Sequence, residues 1–426
     1  MRAADCFCGA GGATCALTNA GFEVRLGIDW DERALMVYGA NHSHQALKLD
    51  MSKEQLAVDA IKAHGPIDMI SGSSPCQDYS CSGRRVEGTR AALTVSFARI
   101  ACAVLPRLVL LENVPQLLLS DAYRYAKQLL VGSGYSILEL HLNAAACGVP
   151  QVRRRVFVIA VRECDAVLLE KVKKEAASYT RTPSDARIVR DFLSSQATTY
   201  FLPARNAHVP LVRSTLMPAP TLTTGCLALP PSRGAQPRHD DVGALSSAHV
   251  LSIEDAAAIA SFPRTYFAAV TSRTLAGRLI GNSVPPAMMA VVASWCMRLL
   301  SSPIVHGSGT LTQPQITHIV PLHSSKRRSR MNRLLSAGLD SHGARLEGND
   351  LRYVLGMDTT GDKLVNNVIG WSPPAGWTLL LRERNGNSRC AKKAAPLDDL
   401  YLYQPGVEQP FRSCKQALRA VAAAQR

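Results

Sequence analysis

No CxxC pair occurs among the 12 cysteines of the 426-residue chain, and Cys6 and Cys8 are too close and too isolated to supply half of a tetrahedral zinc site. Free thiols in a reducing compartment are the plain reading. Long apolar runs are missing as well. None approaches the roughly 20 residues of a membrane span, and no signal-peptide pattern precedes Asp5, where organised sequence begins, so neither a membrane protein nor a secreted one is expected. Acidic residues are few relative to basic ones, 33 against 48, which gives a formal charge of +15. That balance favours a polyanionic partner, nucleic acid first, although a well-solvated basic surface has the same composition. What is present is a 47% hydrophobic complement, enough to build one large domain and a smaller one.

The stretch Gly72-Ser-Ser-Pro-Cys-Gln-Asp-Tyr-Ser80 follows the apolar run Ile67–Ile70, so a buried strand is expected to end there and present Cys76 beside Pro75. A nucleophile would sit in that position; a small buried hydrophobe is the alternative. Upstream, Ala3 to Gly12 leads from a short strand into a glycine-rich turn, and Ala13 to Ala20 continues as a helix closed by Gly21. Such a turn lets a ligand approach the backbone, and the helix start favours negative charge. A second strand, Glu23–Ile28, ends at Asp29-Trp30-Asp31. An acid there holds ribose hydroxyls in βαβ units or, alternatively, caps a helix, and Trp30 can stack on a flat ring. Asp50 closes a third strand-like segment, either for a ring amino group or as a cap for the helix beginning near Ser52.

The loop from Ser80 to Arg90 is small, polar and basic, suited to closing over a phosphate backbone or to plain solvation. A helix over 91–105 then precedes the strand Leu108–Leu111, which ends at Glu112-Asn113-Val114. In an open parallel sheet the crevice at the carboxyl ends of the strands binds ligands, so Cys76 and Glu112 are expected to face one pocket. A helix over 122–131 and strands over 135–142 and 156–161 follow. Between the strands lies Gly148-Val-Pro-Gln-Val-Arg-Arg-Arg155, in which Arg153 and Arg155 share a face if the segment is extended. Residues 162 to about 245 read as a loop-rich lobe with a helix over 186–194. Helices return over 252–260, with a serine cap, and over 287–300, after Gly281-Asn-Ser-Val-Pro-Pro286. A boundary falls near residue 304. Beyond it Lys326-Arg-Arg-Ser-Arg330 is a nuclear address, a phosphate-contacting arm or a solvated linker.

In this order, the loop at 7–12, Pro75-Cys76-Gln77, Glu112-Asn113-Val114, Gln151-x-Arg153-x-Arg155 and Gly281 to Pro286 resemble the DNA cytosine-5 methyltransferase family over residues 3 to 300. The resemblance implies a Rossmann-like α/β sheet with a small recognition lobe over about 162–248. It implies S-adenosylmethionine as cofactor, with Phe7, Gly9, Gly11 and Gly12 along its methionine part, Asp29 at the ribose and Trp30 and Asp50 at the adenine. Pro75, Asn282, Ser283 and Val284 would complete that pocket. Cys76 would add to C6 of a flipped cytosine, Glu112 would act at N3, and Arg153 and Arg155 would hold the base oxygen and the site. Gln77, Ser80, Arg84, Arg85 and Gln151 would contact DNA. Asp29 stands where many members carry glutamate, and the recognition region is short for the family. No metal is implied.

A second resemblance covers residues 371 to 422. Pro374-Ala-Gly-Trp377, Arg382-Glu-Arg384, Asp398 to Tyr403, Pro405-Gly406 and Phe411-Arg-Ser413 are similar to the methyl-CpG-binding domain family. It implies a small α+β domain over 366–426, after a linker over 304–365. Arg384 and Arg412 would fork onto guanine, Asp399 would brace an arginine, and Tyr401 would lie near the methyl group. The implied partner is double-stranded DNA carrying methylated CpG, in a nucleus if the source is eukaryotic and otherwise in the cytoplasm. A transfer-RNA cytosine methyltransferase and an inactive DNA-binding protein are the rival readings.

Overall fold

The computed structural model describes residues 1–76, 89–204, 209, 211–230, 238 and 240–302. For 89–90, 353–357, 363–368, 378–383 and 398–403 it describes the backbone alone. The chain divides into two units, Met1–Pro314 and Gln315–Arg426.

The first unit is built on a seven-stranded sheet. Its strands are β1 (Arg2–Cys6), β2 (Glu23–Asp29), β3 (Gln45–Lys48), β4 (Met69–Gly72), β5 (Leu108–Asn113), β6 (Ser136–Asn143) and, after the two-residue β7 (Gln151–Val152), β8 (Arg154–Val161). Their order is β3-β2-β1-β4-β5-β8-β6. The five strands from β3 to β5 are parallel, joined by α1 (Gly12–Asn19), α2 (Glu32–Asn41), α3 (Glu54–Lys62) and α4 (Thr89–Val104).

At the far edge β8 runs antiparallel to both β5 and β6, a direction that the sequence reading did not specify. Chain connectivity explains it. α5 (Asp121–Gly132) is long enough to carry the chain across to β6 as a parallel crossover. The turn from β6 to β8 is too short for one, so β8 must return antiparallel between them.

Strand residues alternate between two cores, as a sheet covered on both faces requires. Ile70, Val109 and Leu111 face a cluster with Val58, Ile61, Phe97 and Leu130. Met69, Leu108 and Leu110 face Leu17, Val172, Met288 and Leu299. The second cluster includes α9 (Pro286–Ser301). The stretch Arg273–Ser301 is long and apolar enough to match a membrane span, and most of its apolar part is buried within the protein. The segment Ser283–Pro285 breaks it into α8 (Arg273–Asn282) and α9, so it is core helix.

Two expectations for the middle of the chain fail. The stretch read as irregular after residue 162 contains α6 (Ala166–Ala177), capped by Asp165 and burying Val172 and Ala176. Its apolar stripe is narrow and interleaved with Lys and Glu, which hid the periodicity. The helix expected over 186–194 is a single 3₁₀ turn, Val189–Phe192. Here Val189 and Arg190 donate instead to the carbonyls of Met217 and Thr215. The lobe itself carries β9 (Thr199–Phe201), β10 (Val212–Ser214), β11 (Ala219–Pro220), β12 (His249–Val250) and α7 (Ile253–Ile259). Ser252 and Asp255 cap α7 reciprocally, the arrangement its serine and acids foretell.

In the second unit β13 (Tyr353–Met357), β14 (Lys363–Val368), β15 (Thr378–Glu383) and β16 (Asp398–Tyr403) form one antiparallel sheet in chain order. Its first strand lies within the stretch read as a linker, and its second begins there.

Candidate active site

β4 ends at Gly72, where any side chain would overlap the Phe97 ring. The glycine therefore lets α4 pack closely under the turn that carries Cys76. Asn113, buried at the end of β5, donates from Nδ2 to the Ser74 carbonyl at 2.9 Å and receives Val114 N–H on Oδ1 at 2.8 Å. This side chain joins the ends of β4 and β5, fixing the turn of Cys76 against the strand end of Glu112. Arg155, at the start of β8, meets Glu112 with Nε–Oε1 at 3.1 Å; both side chains are about nine-tenths covered, 12% and 10% exposed. Burial pushes the Cys76 thiol up, while the nearby Arg155 and, more weakly, Arg153 pull it down and Glu112 opposes them. Cys76, Glu112 and Arg155 thus act on one another at neighbouring strand ends, as a thiol whose reactivity the surrounding charges set.

Arg153 departs from the expectation that it holds a base oxygen. It is 2% exposed and donates from Nη1 to Leu222 O at 3.2 Å and from Nη2 to Gly281 O at 3.0 Å and Ser283 O at 2.9 Å. Its two terminal nitrogens are engaged by three backbone carbonyls that no helix or strand satisfies. Burial lowers its pKa to about 9, which leaves it charged at neutral pH. Gln151 is buried beside it and accepts Leu222 N–H at 3.2 Å, an internal bond where a DNA contact was expected.

The glycine-rich turn adjoins this rim. Phe7, Gly9 and Gly11 all have positive φ, +55°, +54° and +93°, so the loop needs glycine at two of the three positions. A Cβ on Gly12 would come within 2.6 Å of the Val284 carbonyl, so the absence of a side chain seats the 283–286 segment against the loop. Asp29 is 8% exposed and accepts Gly9 N–H on Oδ2 at 2.9 Å and Asp31 N–H on Oδ1 at 2.8 Å. Burial raises its pKa. Asp31 caps α2, and Trp30 is 70% exposed. Asp50 is exposed and accepts Ser52 N–H; Asn282 is exposed and Pro75 half-buried.

Gln77, Ser80, Arg84, Arg85, Arg384 and Arg412 lie outside the described residues, as do the side chains of Asp399 and Tyr401. Two residues that shape the loop, His42 and Tyr266, carried no sequence signal: His42 follows α2 in an unremarkable turn, and Tyr266 lies in the aperiodic run after α7.

A family model described as C-5 cytosine-specific DNA methylase matches residues 1–210. The chain is similar to the type II methyltransferase M.HgiDI of Herpetosiphon aurantiacus, 33% identical over 306 residues that cover 71% of this chain and 96% of that one. It is also similar to the type II methyltransferase M.HindV of Haemophilus influenzae, 30% identical over 71% of this chain and 99% of that one. Its fold is similar to the crystal structure of the S. pombe Dnmt2 methyltransferase, with a TM-score of 0.53 at 20% identity, covering 70% of this chain and 98% of that one.

Proposed function

The chain belongs to the C-5 cytosine-specific DNA methylase family and is a DNA cytosine-5 methyltransferase that uses S-adenosylmethionine; from that premise we propose that Cys76 is its nucleophile and Glu112 its acid. The observation that carries this reading is the Arg155–Glu112 pair, held at 3.1 Å at the strand end beside Cys76.

C5 of cytosine is a weak nucleophile until a thiolate adds to C6. Cys76 Sγ forms that bond, and the electron pair displaced from the C5–C6 double bond makes C5 nucleophilic. Glu112 donates a hydrogen bond or proton at N3, which stabilises the charge moving into the ring. Arg155 orients Glu112 and contacts the base oxygen. Once C5 carries the methyl group, a base removes the C5 proton and the pair returns to expel the Cys76 thiolate. The atoms attacked are inaccessible in a duplex, so the cytosine is flipped out of the stack.

The cofactor supplies an electrophilic methyl group on a sulfonium. The residues present fit it: Gly9, where a side chain would meet open space, would leave room for its methionine part on a turn whose shape Gly11 and Gly12 set, the Asp29 carboxylate would hold its ribose, and exposed Trp30 with Asp50 its adenine. Asn282, Ser283 and Val284 close the far side. The stretch 77–88, with Gln77, Ser80, Arg84 and Arg85, is assigned to the DNA backbone and the vacated stack. Domains follow as catalytic 1–303 and a C-terminal module over 366–426, with the stretch 304–365 contributing β13 and the start of β14 to the module's sheet.

The C-terminal module reads methylated CpG through Arg384 and Arg412, with Asp399 and Tyr401 in support. The motif order over 371–422 supports this. The bacterial relatives favour the cytoplasm over a nucleus. Methyl transfer to unmodified duplex, premethylated duplex and transfer RNA tests these assignments together. DNA is methylated in preference to transfer RNA, premethylated duplex reacts faster, and Arg412→Ala removes that advantage. Equal rates on both duplexes, unaffected by Arg412→Ala, would sink the reader assignment alone.

A further inference from the structure

The glycine-rich turn is pinned by two residues distant in sequence. Tyr266 Oη donates to the Ala10 carbonyl at 2.8 Å, and the N–H of the same peptide unit, Gly11 N, donates to Cys8 O at 2.9 Å. Both polar groups of the Ala10–Gly11 peptide are therefore fixed where the backbone enters the left-handed region, at φ +93°. Having given its one proton to Ala10, Tyr266 Oη can only accept in its 2.9 Å contact with His42 Nε2. His42 thus carries a proton on Nε2. Burial, with His44 nearby, holds its pKa down at about 4, which fits the neutral ring in that tautomer.

The contact is close packed: a Cβ on Gly11 would lie 2.7 Å from Tyr266 Oη and overlap His42 Nε2. The partners are themselves tethered. Asn41 Nδ2 donates to the Tyr266 carbonyl at 3.0 Å and to Val37 O at 2.8 Å. At the other end of α2, Asp31 Oδ2 accepts Arg278 Nη2 at 2.7 Å. Helix α2 is thereby joined at both ends to the 266–278 stretch, with the turn held between them.

We propose that His42 and Tyr266 are positioning residues for the cofactor: a latch that fixes the Ala10–Gly11 peptide in the orientation S-adenosylmethionine requires. The inference rests on the assignment of the glycine-rich turn as the cofactor cradle. Neither residue touches the reacting atoms, so the latch acts on cofactor affinity and leaves the chemical step alone.

Calorimetric binding of S-adenosylmethionine to the full chain tests it, with KM and kcat measured alongside. Tyr266→Phe, which removes one oxygen, and His42→Ala each raise the Kd and the cofactor KM about tenfold, the loss expected of one net hydrogen bond with its buried partner. At saturating cofactor kcat stays within twofold, and His42→Gln, which keeps an N–H donor, recovers most of the affinity. Thermal melting without cofactor identifies a variant that has lost its fold, and Tyr266→Phe then carries the test. An unchanged Kd in Tyr266→Phe, with binding lost in Asp29→Ala, overturns the latch and leaves the cradle standing. Unchanged binding in both variants overturns the cradle and the latch together.

Discussion

The two walls of the proposed active site are built by opposite means. On the reactive wall, Cys76, Glu112 and Arg155 each sit at a strand terminus or in the turn just after it, and short bonds from Asn113 to Ser74 and from Arg155 to Glu112 align them. On the cofactor wall, the shape of the turn depends on residues far along the chain: Tyr266 reaches Ala10 across 256 positions, and the Val284 carbonyl fills the notch at Gly12. The groups proposed to do the chemistry arrive with local order. The cradle is a long-range product of folding, sensitive to changes nowhere near the ligand.

The largest expected effect breaks the reactive wall alone. Glu112→Gln keeps the shape and a hydrogen bond to Arg155 but lowers the methyl-transfer rate about 10²–10⁴-fold, the range for a lost general acid. Single-turnover kinetics should show cofactor binding intact. In the same assay the rate rises with pH, because burial places the Cys76 thiol above the ordinary thiol range. Arg155→Gln, which removes the charge that lowers that pKa, moves the rise to higher pH; a shift in the acid direction would contradict the electrostatic role.

A second prediction separates two arginines two positions apart. Arg153→Ala strands three carbonyls, at Leu222, Gly281 and Ser283, and is expected to cost about 3–5 kcal/mol of stability by denaturant unfolding. Arg153→Lys recovers little, since an ammonium cannot span all three carbonyls in the fork's geometry. Arg155→Gln impairs catalysis with a smaller effect on folding. Equal stability losses at both positions would erase the distinction.

The smallest effect lies beneath the cofactor wall. Asp5 is buried, accepts Thr14 Oγ1 at 2.7 Å, and burial raises its pKa to about 7. A carboxyl raised in the folded state contributes stability that is full below its unfolded pKa, near 4, and is lost as pH climbs through about 7. Asp5→Asn removes that dependence, so its stability relative to the parent chain improves by about 3 kcal/mol between pH 5 and pH 8. A pH-independent difference would show that Asp5 is not the titrating group.

The same contrast governs what could be read from the sequence. Strand ends at Gly72 and Asn113 were legible because apolar runs stop at turn residues there, and Cys76 and Glu112 stood out as residue types the chemistry demands. The parallel half of the sheet followed from alternating strands and helices. The antiparallel β8 did not, since periodicity says nothing of direction and only the short turn from β6 decides it. Helix α6 was hidden by its lysines. Arg153 and Arg155 are indistinguishable as letters, and three carbonyls contributed by residues 222–283 determine which of them is structural. His42 and Tyr266 carry no periodic or motif signal because their work is done in a contact that exists only once the chain has folded.

Covalent trapping tests the central claim most directly. Incubated with S-adenosylmethionine and a duplex carrying 5-fluorocytosine at its target position, the full chain is expected to form a complex that survives denaturing electrophoresis, because fluorine at C5 cannot leave as a proton and Cys76 stays bound to C6. Cys76→Ser is expected to form none while still binding cofactor. A denaturant-stable complex formed by Cys76→Ser would contradict the assignment of the nucleophile.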